Sequence, residues 1–294
     1  MHALFYSYEN PAHRSLIQSL IKGLKRHGDR CTVRSILEFD PEEAQNADVV
    51  FAYNIVTGPI IVEECLAREV SVIYYDKGYF NRGWDTANPE VYYRFSVNGF
   101  HPLNYFQAVP KPPDRWSKLG LELEPRRAQG KNIVFAGCSA KFASLNGFDL
   151  DAYAKDIVRQ IKSLTDRPII YRPKKALDPP PPIPGTIYSH KKCRIGEDLA
   201  DAHALVTFSS NAAVDAILSG VPAFVLGPGI AKPISNTDLS RINDPWFPSE
   251  KERLQWACDL AYCQWRVEEM EDGSLWQNLK ELIAVHNKQP QSSP

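Results

Sequence analysis

Long apolar runs are missing from this sequence of 294 residues. No stretch approaches the roughly 18 apolar residues that a membrane-spanning helix requires, so no membrane partner is expected. The opening stretch MHALFYSYENPAH lacks the basic region and long apolar run of a secretory signal. A cytoplasmic location is the resulting expectation. An excess of one charge is missing too. The formal net charge is -1, which excludes a global basic field for nucleic acid and leaves room for a local one. The six cysteines (31, 65, 138, 193, 258, 263) form no CxxC pair, and the seven histidines form no HxxxH or HxH pattern. No zinc site is seen, and reduced, buried thiols are the reading. The GxGxxG dinucleotide fingerprint and the GxxxxGK[ST] phosphate loop are absent as well. Neither an ordinary dinucleotide site nor NTP hydrolysis is indicated.

What is present is a globular composition, 44% hydrophobic and 23% charged, with length for one large domain or two small ones. The first half alternates strand and helix patterns. His2–Ser7, Cys31–Ile36, Asp48–Tyr53 and Val70–Tyr75 read as strands. Ala12–His27 and Pro59–Arg68 read as helices, the first with Leu16, Ile17, Leu20, Ile21 and Leu24 along one face. Residues 76–130 are irregular and end in a proline-bearing linker. A second series then starts at Asn132. It has strands at IVFAG, RPIIYRP, ALVTF and PAFVLG, and helices at Asp149–Leu164 and Ala212–Ser219. Such alternation predicts parallel sheets covered by helices. The expected fold is α/β, with two facing Rossmann-like doubly wound domains and an interdomain cleft. The expected division is 1–125, 126–250, and C-terminal helices 251–294 that pack back toward the first domain.

Open parallel sheets bind ligands beyond the carboxyl ends of their strands. In the second series one strand ends in Gly137-Cys138-Ser139-Ala140-Lys141, a second in Arg172-Pro173-Lys174-Lys175, and a third in Ser209-Ser210-Asn211 before a small-residue helix. Taken singly, these are helix caps and a solvated charge run. Taken together they combine free backbone N–H groups with guanidinium and ammonium groups, a set that suits a diphosphate. A nucleotide-diphosphate sugar would satisfy it without either phosphate-binding motif.

The strings YRPKK, TFSSNAAVDAILSGVP and LGPGIAKPIS resemble the second domain of GT-B glycosyltransferases, including capsule and lipopolysaccharide types. FAGCSAKF, AKPISNTDLSRI and LAYCQWRVEEM also look like proteins encoded in bacteriophage genomes. The resemblance implies a donor site of Gly137, Ser139, Lys141, Arg172, Lys174, Ser209, Ser210, Asn211 and Asp215. There Asp215 would reach ribose or sugar hydroxyls, and 227–235 would close over the sugar. Many relatives carry Glu where this chain has the shorter Asp215. No metal and no cofactor are implied beyond a UDP-sugar co-substrate, and no DxD motif stands at a strand end.

The same resemblance puts the acceptor in the first domain. Asp76, directly after a buried strand, is the expected general base, since transfer to a hydroxyl releases a proton. An Asx-type turn, or an ion pair with Lys77 or Arg82, is its other reading. His13, Lys77, Tyr79, Arg82, Trp84 and His101 are the expected acceptor residues. They mix aromatic faces with cations, which suits a base and a DNA backbone, or a sugar. An aromatic core under a loop is the other reading. The phage-like strings make double-stranded DNA with a 5-hydroxymethylated pyrimidine the expected acceptor. A surface polysaccharide or lipid-linked saccharide is the alternative. A UDP-sugar epimerase and a non-catalytic nucleotide-sugar or nucleic-acid binding module are also held open.

Overall fold

The computed structural model describes residues 1–82, 90–103, 106, 108–127, 129–174, 179–190 and 192–286. Trp84 and Lys175, expected at the site, lie outside them. The strands are β1 (His2–Ser7), β2 (Arg30–Ser35), β3 (Val49–Tyr53), β4 (Ser71–Lys77), β5 (Tyr92–Val97), β6 (Asn132–Ala136), β7 (Ile169–Arg172), β8 (Ile187–Tyr188), β9 (Ala202–Thr207), β10 (Ala223–Val225) and β11 (Gln264–Arg266). The chain divides into two compact units, Met1–Val109 with Asp259–Pro294, and Pro110–Cys258. Each is a Rossmann-like α/β layer, so the α/β class with two such domains is found as expected.

In the first unit the strand order is β11-β5-β4-β3-β1-β2. β1 to β4 pair in parallel, whereas β5 is antiparallel to β4 and β11 antiparallel to β5. The helix Pro11–Arg26 forms where the sequence places it. Asn10 caps it by accepting from the N–H groups of Ala12 and His13. Its apolar face, Leu16, Ile17, Leu20 and Leu24, joins a core with Phe5, Phe51, Tyr75 and Phe95. Trp276 and Leu279 of the helix Ser274–His286 belong to that same core. The opposite sheet face packs Leu4, Tyr6, Val50 and Tyr74 on the helix Asn54–Ala67. That helix begins before the expected Pro59, which lies inside it.

Two strands depart from the sequence reading. Tyr92–Val97 falls in the stretch expected to be irregular, yet all six residues are buried in β5. Its Arg94 and Ser96 interrupt the apolar run and hide the strand. Gln264–Arg266 falls in the tail expected to be helical. It pairs with Tyr92–Arg94 because Gln264, fully buried, accepts the N–H groups of Tyr79 and Phe80.

In the second unit all strands are parallel, in the order β10-β9-β6-β7-β8. Ile133, Phe135, Val206 and Phe224 pack against Ala154, Ile157, Val158 and Ile161 of the helix Leu150–Leu164. The expected linker is a strap on this unit rather than a free connector. Its Glu124 and Arg127 N–H groups donate to the carbonyls of Leu218 and Gly220, at 2.8 Å each.

Candidate functional site

Each sheet has a place where the strand order reverses, and such a switch point leaves a crevice at the carboxyl ends. In the second unit it lies between β6 and β9. There Ala136 is in register with Thr207 on one side and with Arg172 on the other. The ends carrying Gly137–Lys141, Arg172–Lys174 and Ser209–Asn211 therefore emerge together. Gly137 is buried, Ser139 and Asn211 are half-buried, and Lys141 and Lys174 are exposed. Ser139 caps the helix Ala140–Leu145 through Phe142 N–H at 3.2 Å. Ser210 is tied into the turn, donating its N–H to Thr207 and accepting from Ala212 N–H, 3.2 Å each. The Ser209 hydroxyl is buried at the strand end and has no hydrogen-bond partner among the described residues. Asp215 lies half-buried on the helix Ala212–Leu218.

Arg172 is brought to the same edge, but its guanidinium is engaged. Nη1 donates to the Asp198 carboxylate and to Ser189 Oγ, and Nη2 donates to the Cys193 carbonyl at 3.1 Å. The pair is largely enclosed, with side-chain exposures of 14% and 7%. Burial pushes the Cys138 thiol pKa up, and Lys174 pulls it the other way.

Phe208, between strand and turn, is a residue the sequence reading left out. Its ring packs on Phe148 and Tyr153, with centroids 4.9 and 5.6 Å away. It also lies under Gly227, where a Cβ would come within 2.6 Å of it. This contact fixes the loop after β10 against the crevice.

In the first unit the switch point lies between β1 and β3, and the expected acceptor residues divide between the two faces of β4. His13 is on the face of Tyr75, stacked on Tyr53 at 4.1 Å. The Tyr8 N–H donates to its Nδ1, so Nε2 carries the proton and donates to Tyr75 Oη at 2.9 Å. Burial pushes the His13 pKa down to about 4. His13 is thus a neutral core residue.

On the other face, Asp76 of β4 stands opposite Arg94 of β5. Asp76 accepts from Tyr74 Oη at 3.1 Å and from Lys77 N–H at 2.7 Å, and its carboxylate lies 3.7 Å from the Arg94 guanidinium. Arg94 is 6% exposed, among the rings of Tyr74, Tyr79 and Phe100. Its Nη1 donates to His101 Nδ1 at 2.8 Å and to Tyr79 Oη at 3.3 Å. Burial alone would lower the Arg94 pKa, but the facing Tyr79, Tyr74 and Asp76 outweigh it and raise it. Burial raises Tyr79 to about 12 and, with Arg94, holds His101 well below its ordinary value. Since guanidinium only donates, the His101 proton sits on Nε2, which is buried without a partner among the described residues. Lys77 is half-buried and Arg82 exposed, and Arg82 donates to the Tyr79 carbonyl at 2.8 Å. Of the expected acceptor set, then, Tyr79 and His101 gather around Asp76 through Arg94, while His13 is apart from them.

No family model matches the chain, and no curated protein matches it either. Solved structures do share its fold. One is the beta Kdo 2,4 transferase of KpsC from Thermosulfurimonas dismutans, with a TM-score of 0.57 at 10% identity, covering 96% of this chain and 98% of that one. Another is the beta Kdo 2,7 transferase of KpsC from the same organism, with a TM-score of 0.50 at 13% identity, covering 95% and 100%. Nothing in these comparisons supports the resemblance to bacteriophage proteins. The chain has the two-domain Rossmann-like fold of GT-B glycosyltransferases, and the resemblance to capsule-type members holds at the level of the fold.

Proposed function

We propose that this chain is a metal-independent glycosyltransferase that moves a sugar from a nucleotide-sugar donor to a hydroxyl of a saccharide acceptor. The observation that carries the reading is the convergence of three parallel strand ends at the second unit's switch point. They bring Gly137, Ser139, Lys141, Lys174 and Ser209–Asn211 to one edge of a transferase-like fold. Backbone N–H groups and ammonium groups there suit phosphate oxygens, and the unpartnered Ser209 hydroxyl has a donor to offer. In transfer, the bond from the anomeric carbon to the donor phosphate breaks and one to the acceptor oxygen forms. The hydroxyl proton passes to a base, and the nucleotide leaves. Asp76 is our candidate for that base. Its carboxylate is 20% exposed at the end of β4, held by Tyr74 and the Lys77 N–H with acceptor capacity to spare.

A saccharide acceptor is preferred to a hydroxymethylated pyrimidine in DNA. The fold likeness lies with Kdo transferases, and a net charge of -1 supplies no field for a duplex. The test incubates the protein with nucleoside-diphosphate and nucleoside-monophosphate sugars, offering oligosaccharides in one set and hydroxymethylated duplex DNA in another. Mass spectrometry then reads the acceptors. A sugar-sized gain on an oligosaccharide is expected. A gain on DNA alone would reverse the acceptor assignment, and no gain on either would overturn the transferase reading.

A further inference from the structure

We infer that His101 is a positioning residue for Asp76: through Nδ1 it holds the Arg94 guanidinium off the Asp76 carboxylate, which stays open to an acceptor hydroxyl. The inference rests on the reading of Asp76 as the base. Behind it stands a cation that is buried beside a carboxylate and yet does not bond to it. Arg94 faces Asp76 across the β4–β5 pair, but its Nη2 stops 3.7 Å from Oδ2. That is beyond hydrogen-bond reach. Nη1 donates instead to two neutral acceptors, His101 Nδ1 at 2.8 Å and Tyr79 Oη at 3.3 Å. The rings of Tyr74, Tyr79 and Phe100 lie around the guanidinium, with centroids 5.3, 5.4 and 4.8 Å from Cζ.

Unrestrained, a guanidinium at this distance would shut on the carboxylate. Charge-assisted bonds between the two form at about 2.8 Å and are stronger than bonds to neutral acceptors. The short Nη1 bond to His101 is what holds the fork back, and Tyr79, at the longer distance, is the weaker hold. A histidine is a costly residue for this place. It is 9% exposed, and its Nε2–H is enclosed without a partner among the described residues. An enclosed donor with no acceptor destabilises, and an apolar side chain of similar size would not do so. What the imidazole supplies is an acceptor at Nδ1 that stays neutral, since burial and Arg94 hold its pKa well below the ordinary value. The gap it keeps bears on proton transfer. Asp76 already accepts from Tyr74 Oη on one carboxylate oxygen and from the Lys77 N–H on the other. A closed Arg94 fork would occupy the remaining lone pairs, which an acceptor hydroxyl needs.

The experiment compares the wild type with His101→Leu, His101→Phe and His101→Asn. Leucine and phenylalanine remove the acceptor, whereas the asparagine Oδ1 can stand in for Nδ1. Crystal structures read the distance from Arg94 to Asp76, and mass spectrometry reads sugar transfer onto the oligosaccharide set. In whichever of the two apolar variants folds, Nη2 should move to hydrogen-bond distance of Asp76. Its kcat should fall by about tenfold or more while the donor KM holds. His101→Asn should keep the gap open and retain most of the turnover. An unmoved fork in a folded apolar variant, or an asparagine variant as slow as the apolar ones, would overturn the inference and leave Asp76 standing as the base. A closed fork with wild-type turnover, or a wild type that transfers nothing, would instead remove Asp76 as the base, and this role of His101 with it.

Discussion

Replacing His13 by glutamine should flatten the acid side of the stability curve. In the native state His13 is neutral, with a pKa pushed down to about 4 by burial. In the unfolded chain it titrates near the ordinary value of about 6.5. Between those values the unfolded chain binds a proton that the native state refuses. Stability therefore rises with pH through this window, and it falls as the pH drops from 6.5 to 4. Above 6.5 both states are neutral and nothing is lost. Below 4 both are protonated and the loss is complete, at roughly 3 kcal/mol for a shift of this size. Inside the window the contribution is about 1.4 kcal/mol per pH unit. Glutamine removes the titration, and losing the stacked ring and a hydrogen bond should cost about 1–3 kcal/mol at neutral pH. Urea unfolding of both proteins at several pH values between 4 and 7 reads the slopes. A variant slope equal to the wild type's would refute the argument and return His13 to solvent.

Other expectations follow from particular contacts. Gly23→Ala places a Cβ 1.9 Å from the Met270 carbonyl oxygen, so the helix Pro11–Arg26 must shift off the helix Val267–Glu271; thermal unfolding should show a loss of several degrees. Trp276→Ala empties a fully enclosed site in the first unit's core and should cost about 3–5 kcal/mol by denaturant unfolding. Arg94→Met removes the cation opposite Asp76 and from His101 Nδ1; the fold should survive, because no buried carboxylate is left without other hydrogen bonds, while turnover falls by more than tenfold. Gly227→Ala would drive a methyl into the Phe208 ring and should weaken nucleotide binding more than it lowers the unfolding temperature.

Much of the fold was legible because its signals are local. The period of Leu16, Ile17, Leu20, Ile21 and Leu24 announces the first helix and says which face it buries. The parallel strands of the second unit read as short apolar runs because both of their faces are covered. β5 and β11 were illegible because their polar residues are satisfied at long range. Arg94 needs Asp76, and Gln264 needs the N–H groups of Tyr79 and Phe80. Proline misled at Pro59, where tertiary packing carries the helix through it. At the site, the strand ends could be read once parallel pairing was assumed. The fate of the Arg172 fork could not, because its partner Asp198 lies 26 residues away, on a helix of five residues.

The central claim is that the second unit's strand ends hold a nucleotide sugar and that Asp76 acts on the acceptor. Calorimetric titration of a panel of nucleotide sugars into the wild type, Ser209→Leu and Asp76→Asn tests it most directly. The wild type should bind at least one donor saturably. That binding should be lost in Ser209→Leu and kept in Asp76→Asn, whose transfer activity alone is abolished. Binding that survives Ser209→Leu, or a panel that the wild type ignores throughout, would contradict it.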